Sequence, residues 1–397
     1  MKITSVTPLV HPDFPNVFHL EIGTDEGITG LGESYYFAQT ISTFVREFVA
    51  PTLIGKDPRN REEISRILTT YIGYNGSGAE TRARSAVDIA LWDIAGQSAG
   101  KPIYQLIGGT SPRALRIYNT CAGNHYMRRS NQGSNSWGLD NGGEDLEDLK
   151  AFMTDAGALA QDLFSEGITA MKIWPFDLFA EKNWGSDISD SDLKTGMRAI
   201  ESIRNAVGSK MDVMVELHAL WSPLAAKKIM TALKDFNILW VEDPLHPDLL
   251  DEISVLRGDG MPPIAHGETI ASRKRVQTLV ERHLIDVLTL DLGWCGGLTE
   301  GLIFADLARK NGVKIAPHDC TGPVGLTIGS HLSTADENAL IQETVRSAYR
   351  TWYPHLASGL PEINKGQLTL SSAPGLGMAL QKEFKSGATR HAVAANL

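Results

Sequence analysis

MDVMVELHALWSPLAAKKIMTALKDFNILWVEDP (residues 211–244) holds the pattern on which the fold turns. A short apolar run, MDVMVELH, ends in polar residues. A stretch with helical spacing follows, and a second apolar run, ILWVEDP, again ends in acids. Strand, helix and strand in that order read as a unit of a parallel sheet. The same alternation extends both ways through RIYNTCAG (116–123), ITAMKIW (168–174), PIAHGE (263–268), DVLTLD (286–291), VKIAPH (313–318) and ALIQE (339–343). About eight such repeats predict a parallel sheet closed into a barrel.

The flanks read differently. KITSVTPLV (2–10) and NVFHLEIGTDEG (16–27) alternate like antiparallel strands, with a turn at Asp25-Glu26-Gly27. From Ala79 to Ser98 the spacing is helical, through Ala86, Ile89, Ala90, Asp93 and Ile94. Gly100-Lys101-Pro102 and Gly108-Gly109 punctuate the end of this α+β region. The tail from about Tyr349 is mixed again, and GQLTLSSAPGLGMAL (366–380) is expected to pack back on the N-terminal region. Two irregular segments, 124–143 and 176–192, follow predicted strands and are expected to hang over the barrel mouth as lids.

Composition narrows the function. The chain has 397 residues, 42% hydrophobic and 21% charged, which fits a two-domain globular protein. A formal net charge of -10 speaks against nucleic acid as a partner. It leaves an anionic substrate open, because local field and metal charge decide that. Cys121, Cys295 and Cys320 lack CxxC spacing, which fits a reducing compartment and not a disulfide framework or thiolate zinc site. MKITSVTPLV carries no apolar leader and no run is long enough to span a membrane, so a cytoplasmic location is expected.

The chemistry lies at the strand ends. Lys172, Glu216, Glu242, Glu268, Asp291, His318 and Glu343 each close an apolar run. From Glu216 onward the spacings are 26, 26, 23, 27 and 25 residues, each about one βα unit. The side chains should therefore converge on one mouth. Glu216, Glu242 and Glu268 together would repel unless a cation joined them, and oxygen-only donors favour Mg²⁺. Asp291 beside His318 fixes the imidazole tautomer and makes His318 the candidate general base. His218 shares strand parity with Glu216, and is read as a second acid/base group or as a substrate-binding residue. Lys172 can hold a substrate carboxylate and offset developing charge. Glu343 can hydrogen-bond that carboxylate if its own pKa is raised.

AVDIALWDIAGQSAGKPIYQLIGG (86–109), KIWPFD (172–177), ELH (216–218), VEDP (241–244), GET (267–269), the Asp291–His318 pair and SSAPGLGMAL (371–380) together resemble the mandelate racemase subgroup of the enolase superfamily. The likeness spans essentially the whole chain. It implies a modified TIM barrel, (β/α)7β, over residues 116–346. It also implies an α+β capping domain made by residues 1–115 and completed by 347–397. By the same resemblance Glu216, Glu242 and Glu268 align with the metal ligands, Asp291 and His318 with the His–Asp dyad, and Glu343 with the glutamate that binds the substrate carboxylate. Lys172 matches the first lysine of a Lys-x-Lys motif. Trp174 stands where the second lysine would be, which argues against racemisation, and Glu216-x-His218 is similar to acid-sugar dehydratases of the subgroup. Trp174, Asn16 in a cap loop at about 12–16, and Tyr74 are expected to shape substrate specificity. The implied activity is Mg²⁺-dependent dehydration of a sugar acid by a homo-oligomer. The alternatives are an epimerase or racemase, or a cycloisomerase, of the same superfamily, or a non-catalytic or very low-activity member.

Overall fold

The computed structural model describes residues 1–69, 76, 78–124, 126 and 146–395. The strand β1 (Ile3–His11), β2 (Phe14–Thr24) and β3 (Thr29–Tyr35) form an antiparallel sheet in sequence order. The helix Ala79–Ala99 packs across it. Glycine makes this approach possible: a Cβ on Gly30 or Gly32 would lie 2.1 Å from the Ala90 carbonyl or 1.9 Å from that of Ala86. Ile3, Val6, Phe18, Leu20 and Ile22 of the sheet and Ala83, Ala86, Val87 and Ala90 of the helix build a core of their own.

Eight parallel strands follow: β4 (Leu115–Thr120), β5 (Ala170–Ile173), β6 (Asp212–Glu216), β7 (Ile238–Glu242), β8 (Ile264–His266), β9 (Val287–Leu288), β10 (Lys314–Ile315) and β11 (Gln342–Thr344). Each pairs with the next from β4 to β10, and β11 pairs back onto β4. Ile315 bridges to Ala339 just before β11, which closes the ring. All eight runs singled out in the sequence lie on these strands.

The tail divides. Thr389–Arg390 and Val393–Ala394 pair with β1 and extend the cap sheet. Within 366–380, Gln367–Thr369 pairs antiparallel with β4, whereas Gly375 and Leu376 pack on the N-terminal region as expected, Gly375 bridging Pro102 and Leu376 N donating to Asp93 Oδ1 at 2.8 Å. Leu368 is fully buried against the barrel wall, which accounts for the pairing with β4. Segment 176–192 is also more ordered than expected. Asp177–Ala180 forms a buried helical turn, and a long helix begins at Asp190 with Ser189 capping it. Most of segment 124–143 lies outside the described residues.

Candidate active site

The interior of the barrel explains why the strand ends converge. Tyr118, Ala170, Met214, Trp240, Ala265, Val287, Ala316 and Ile341 form one buried cluster, one residue from each strand or its edge. They fill the barrel below the mouth. Side chains two residues apart on a strand point the same way. Two residues beyond this layer stand Thr120, Lys172, Glu216, Glu242, Thr289, His318 and Glu343. On β8 the corresponding position is Gly267, at φ 145, a conformation that favours glycine. Its turn passes the acidic position to Glu268.

Glu216, Glu242 and Glu268 each present a carboxylate oxygen within 4.8 Å of the others. Glu216 and Glu242 are direct partners in the β6–β7 register. Burial pushes all three pKa values up, against the pull of Lys172 on Glu216 and Glu242 and of His318 on Glu268. Backbone N–H groups of Leu217 and His218 donate to Glu216 Oε1, and Trp240 Nε1 donates to Glu242 Oε2. Glu216 Oε2 and Glu242 Oε1 are buried and, among the described residues, accept no hydrogen bond. Buried, unsatisfied oxygens in a trio of hard donors are what a divalent cation would satisfy. The residues present fit such an ion.

Lys172 Nζ lies 3.0 Å from Glu343 Oε1, 3.1 Å from Glu242 Oε2 and 3.5 Å from Glu216 Oε2. Burial would lower its pKa, but Glu242, Glu343 and Glu216 outweigh burial and hold it charged. Glu343 departs from expectation. Burial raises its pKa, yet Lys172, His318, the Thr120 hydroxyl and the Asp319 N–H bring it below the usual carboxylate value. That direction runs against the protonated donor expected from its acidic neighbours, because a lysine and two donors reach it first.

Two histidine–aspartate pairs face the same cavity. His318 Nδ1 lies 2.7 Å from Asp291 Oδ2, and its Nε2 lies 3.1 Å from Glu268 Oε2. Burial, which lowers its pKa, is outweighed by Glu268, Glu343 and Asp291, and the pKa is raised. His218 Nδ1 lies 2.5 Å from Asp177 Oδ2. Against burial, Asp177 and Glu216 raise the His218 pKa to about 10. Strand parity is not what delivers His218, because β6 ends at Glu216. His218 and Ala219 adopt left-handed φ values of 46° and 56°, a strained turn of the kind found at functional sites. β6 and β10 stand four strands apart in a ring of eight, so the two imidazoles come from opposite walls.

A cavity of about 100 Å³ lies between them, lined by Lys172, Trp174, His218, Glu268, His318 and Cys320 from the barrel and by Tyr35 and Tyr36 from the cap. Thr120, Tyr126 and Trp294 also line it. Trp174 meets the His218 ring edge-on at 5.8 Å. Asn16 does not line this cavity. It is buried on β2, because β1 and β2 meet in a tight hairpin and not in a cap loop, and its carbonyl accepts from Tyr36 N. Tyr74 lies outside the described residues. Sequence reasoning missed Asp177, although an acid three residues past Trp174 follows a strand end like the others. It also missed Tyr35, whose hydroxyl donates to Asp291 Oδ2 at 3.2 Å, and the buried Asp243–His266 pair, 2.6 Å apart, behind the carboxylates.

A parallel barrel whose mouth gathers three carboxylates, a lysine and a histidine–aspartate pair, beneath a cap drawn from both ends of the chain, is the architecture of an enolase-type enzyme. The chain belongs to the mandelate racemase/muconate lactonizing enzyme family. Residues 14–108 match the N-terminal domain of that family and residues 155–384 match the enolase C-terminal domain-like family. A crystal structure of an enolase of the mandelate racemase subgroup from Agrobacterium tumefaciens superposes with a TM-score of 0.88 at 40% identity, covering 100% of this chain and 99% of that one. Among curated relatives, a D-xylonate dehydratase from Haloferax volcanii is 27% identical over 96% of this chain and 87% of its own length. A D-galactonate dehydratase family member from Salmonella virchow is 29% identical over 96% of this chain and 93% of its own. No helix among the described residues is long and apolar enough to cross a membrane.

Proposed function

We propose that the protein is a Mg²⁺-dependent dehydratase of sugar acids, converting a 2,3-dihydroxy acid to its 2-keto-3-deoxy product. The observation that carries this reading is the placement of two histidine–aspartate pairs on opposite walls of one cavity. The dehydratase names of the relatives support it. Glu216, Glu242 and Glu268 would hold Mg²⁺, which supplies Lewis-acid charge for the substrate carboxylate and balances Glu268 beside His318. Glu268 is the carboxylate that most raises the His318 pKa. With that charge engaged by the ion, His318 would be neutral, and its Nε2 takes the proton next to the carboxylate while Asp291 holds Nδ1. Lys172, buried and charged, offsets the charge that grows on the carboxylate as the enediolate forms. His218, protonated at neutral pH and held through Nδ1 by Asp177, gives a proton from Nε2 to the departing 3-hydroxyl. Removal from one face and donation on the other make the elimination anti. The enol then ketonises.

The test is a panel of aldonates and aldarates incubated with enzyme and Mg²⁺ in D₂O. Semicarbazide reads 2-keto product, and NMR reads deuterium at C2. The expected result is keto acid from at least one member, lost with EDTA and restored by Mg²⁺. The same opposed pair would also suit an epimerase. Exchange with inversion and no keto acid would establish that reading in its place, and neither product from any member would overturn both.

A further inference from the structure

Three consecutive residues of the cap strand β3 grip the two loops that carry His318 and Asp291. Glu33 accepts from the backbone N–H of Gly325 at 2.7 Å and of Val324 at 3.3 Å, the first turn of the helix Pro323–Ala335. Ser34 Oγ donates to the Gly293 carbonyl at 2.7 Å. Tyr35 donates to Asp291 Oδ2, the oxygen that meets His318 Nδ1, while Gly293 N donates to Asp291 Oδ1 at 2.7 Å. His19 Nε2 backs Glu33 at 2.9 Å from within the cap. Glu33, Ser34 and Tyr35 are all buried. The approach is close: a Cβ on Gly322 would lie 2.6 Å from the Glu33 carboxyl.

We propose that Glu33, Ser34 and Tyr35 are positioning residues that set the His318–Asp291 pair for proton abstraction, so that the cap sheet serves the chemistry as well as the shape of the cavity. The inference rests on the reading of His318 as the base. A proton this weakly acidic is removed only from a narrow range of approach, so small errors in imidazole placement cost rate. Charged and buried hydrogen bonds to the loops are the means of limiting that error.

The test uses the full chain with Mg²⁺ present and the variants Tyr35→Phe and Glu33→Gln. Hydrogen–deuterium exchange read by mass spectrometry should speed by about tenfold over residues 289–297 and 316–325. Residues 175–180 and 217–222 should keep their rates, and the thermal midpoint should move little. With a turned-over sugar acid, kcat should fall while KM stays nearly constant. The isotope effect on kcat from deuterium at C2 should rise, which a mere loss of folded enzyme would not produce. If Glu33→Gln fails to fold, Tyr35→Phe decides alone, since it removes one oxygen and no packing. Unchanged protection of both loops in Tyr35→Phe overturns the proposal, whether or not a substrate is in hand. Loosened loops together with C2 exchange that survives His318→Asn would leave the clamp standing and remove the assignment of the base.

Discussion

The two walls of the cavity hold the same pair of side chains by different means. His218 and Asp177 are 41 residues apart and belong to the loops after β6 and β5, neighbours in the barrel. Those loops are tied to each other, with Ser222 N bonded to the Gly185 carbonyl and Ser222 Oγ to that of Ser186. His318 and Asp291 also come from neighbouring units, but Tyr35 reaches them from 256 residues away, on another sheet. One pair is therefore a product of adjacent repeats, and the other is finished only when the cap docks. The difference matches the proposed roles. A base that must meet a reluctant C–H bond gains more from fixed placement than an acid that protonates a hydroxyl, which has lone pairs in several directions.

The comparison can be broken at its strongest point first. His318→Asn should abolish both keto-acid formation and C2 exchange, a loss of about a thousandfold or more. Exchange that survives would move the base to the opposite wall. His218→Asn should then separate the two reactions, with dehydration falling by about a hundredfold while exchange in D₂O continues. Equal loss of both would show that the walls do not divide the work. Asp177→Asn should act in the same direction as His218→Asn and more weakly, by roughly tenfold, because the imidazole stays and loses only its orienting charge. Assays of exchange and dehydration on one sample read all three.

How much of this was legible in the sequence follows from which parts are periodic. The barrel was legible because each strand repeats one pattern, and a period of two sets Lys172, Glu216, Glu242, His318 and Glu343 above the plugging layer without tertiary information. Glu268 is displaced by one residue through Gly267, yet the spacing of strand ends still found it. Asp177 hid in a segment whose composition resembles a loop, and only burial and His218 show its purpose. Tyr35 was beyond sequence reasoning for another reason. Its partner is chosen by how the cap sits on the barrel, which no local pattern encodes. The same holds for Glu343, whose charge state depends on which donors arrive beside it.

The smallest expected effect concerns the far end of the clamped helix. His331 is buried on Pro323–Ala335, accepts from Tyr104 N at 3.1 Å through Nδ1, and has its pKa lowered to about 4 by burial. The folded protein therefore prefers the neutral ring, whereas the unfolded chain titrates near the ordinary value of 6.5. The resulting stability is fully present above pH 6.5 and is lost as the pH falls toward about 4. Its size is ~3 kcal/mol. Asp88 and Asp93, pushed up to about 6 by burial, work in the opposite direction over an overlapping range. The wild-type curve alone thus mixes signs, and the difference between wild type and His331→Gln is the quantity to follow by urea unfolding. That difference should shrink from pH 7 to pH 4. If it stays constant, protonation of His331 is not linked to folding in this range and burial does not hold its ring neutral.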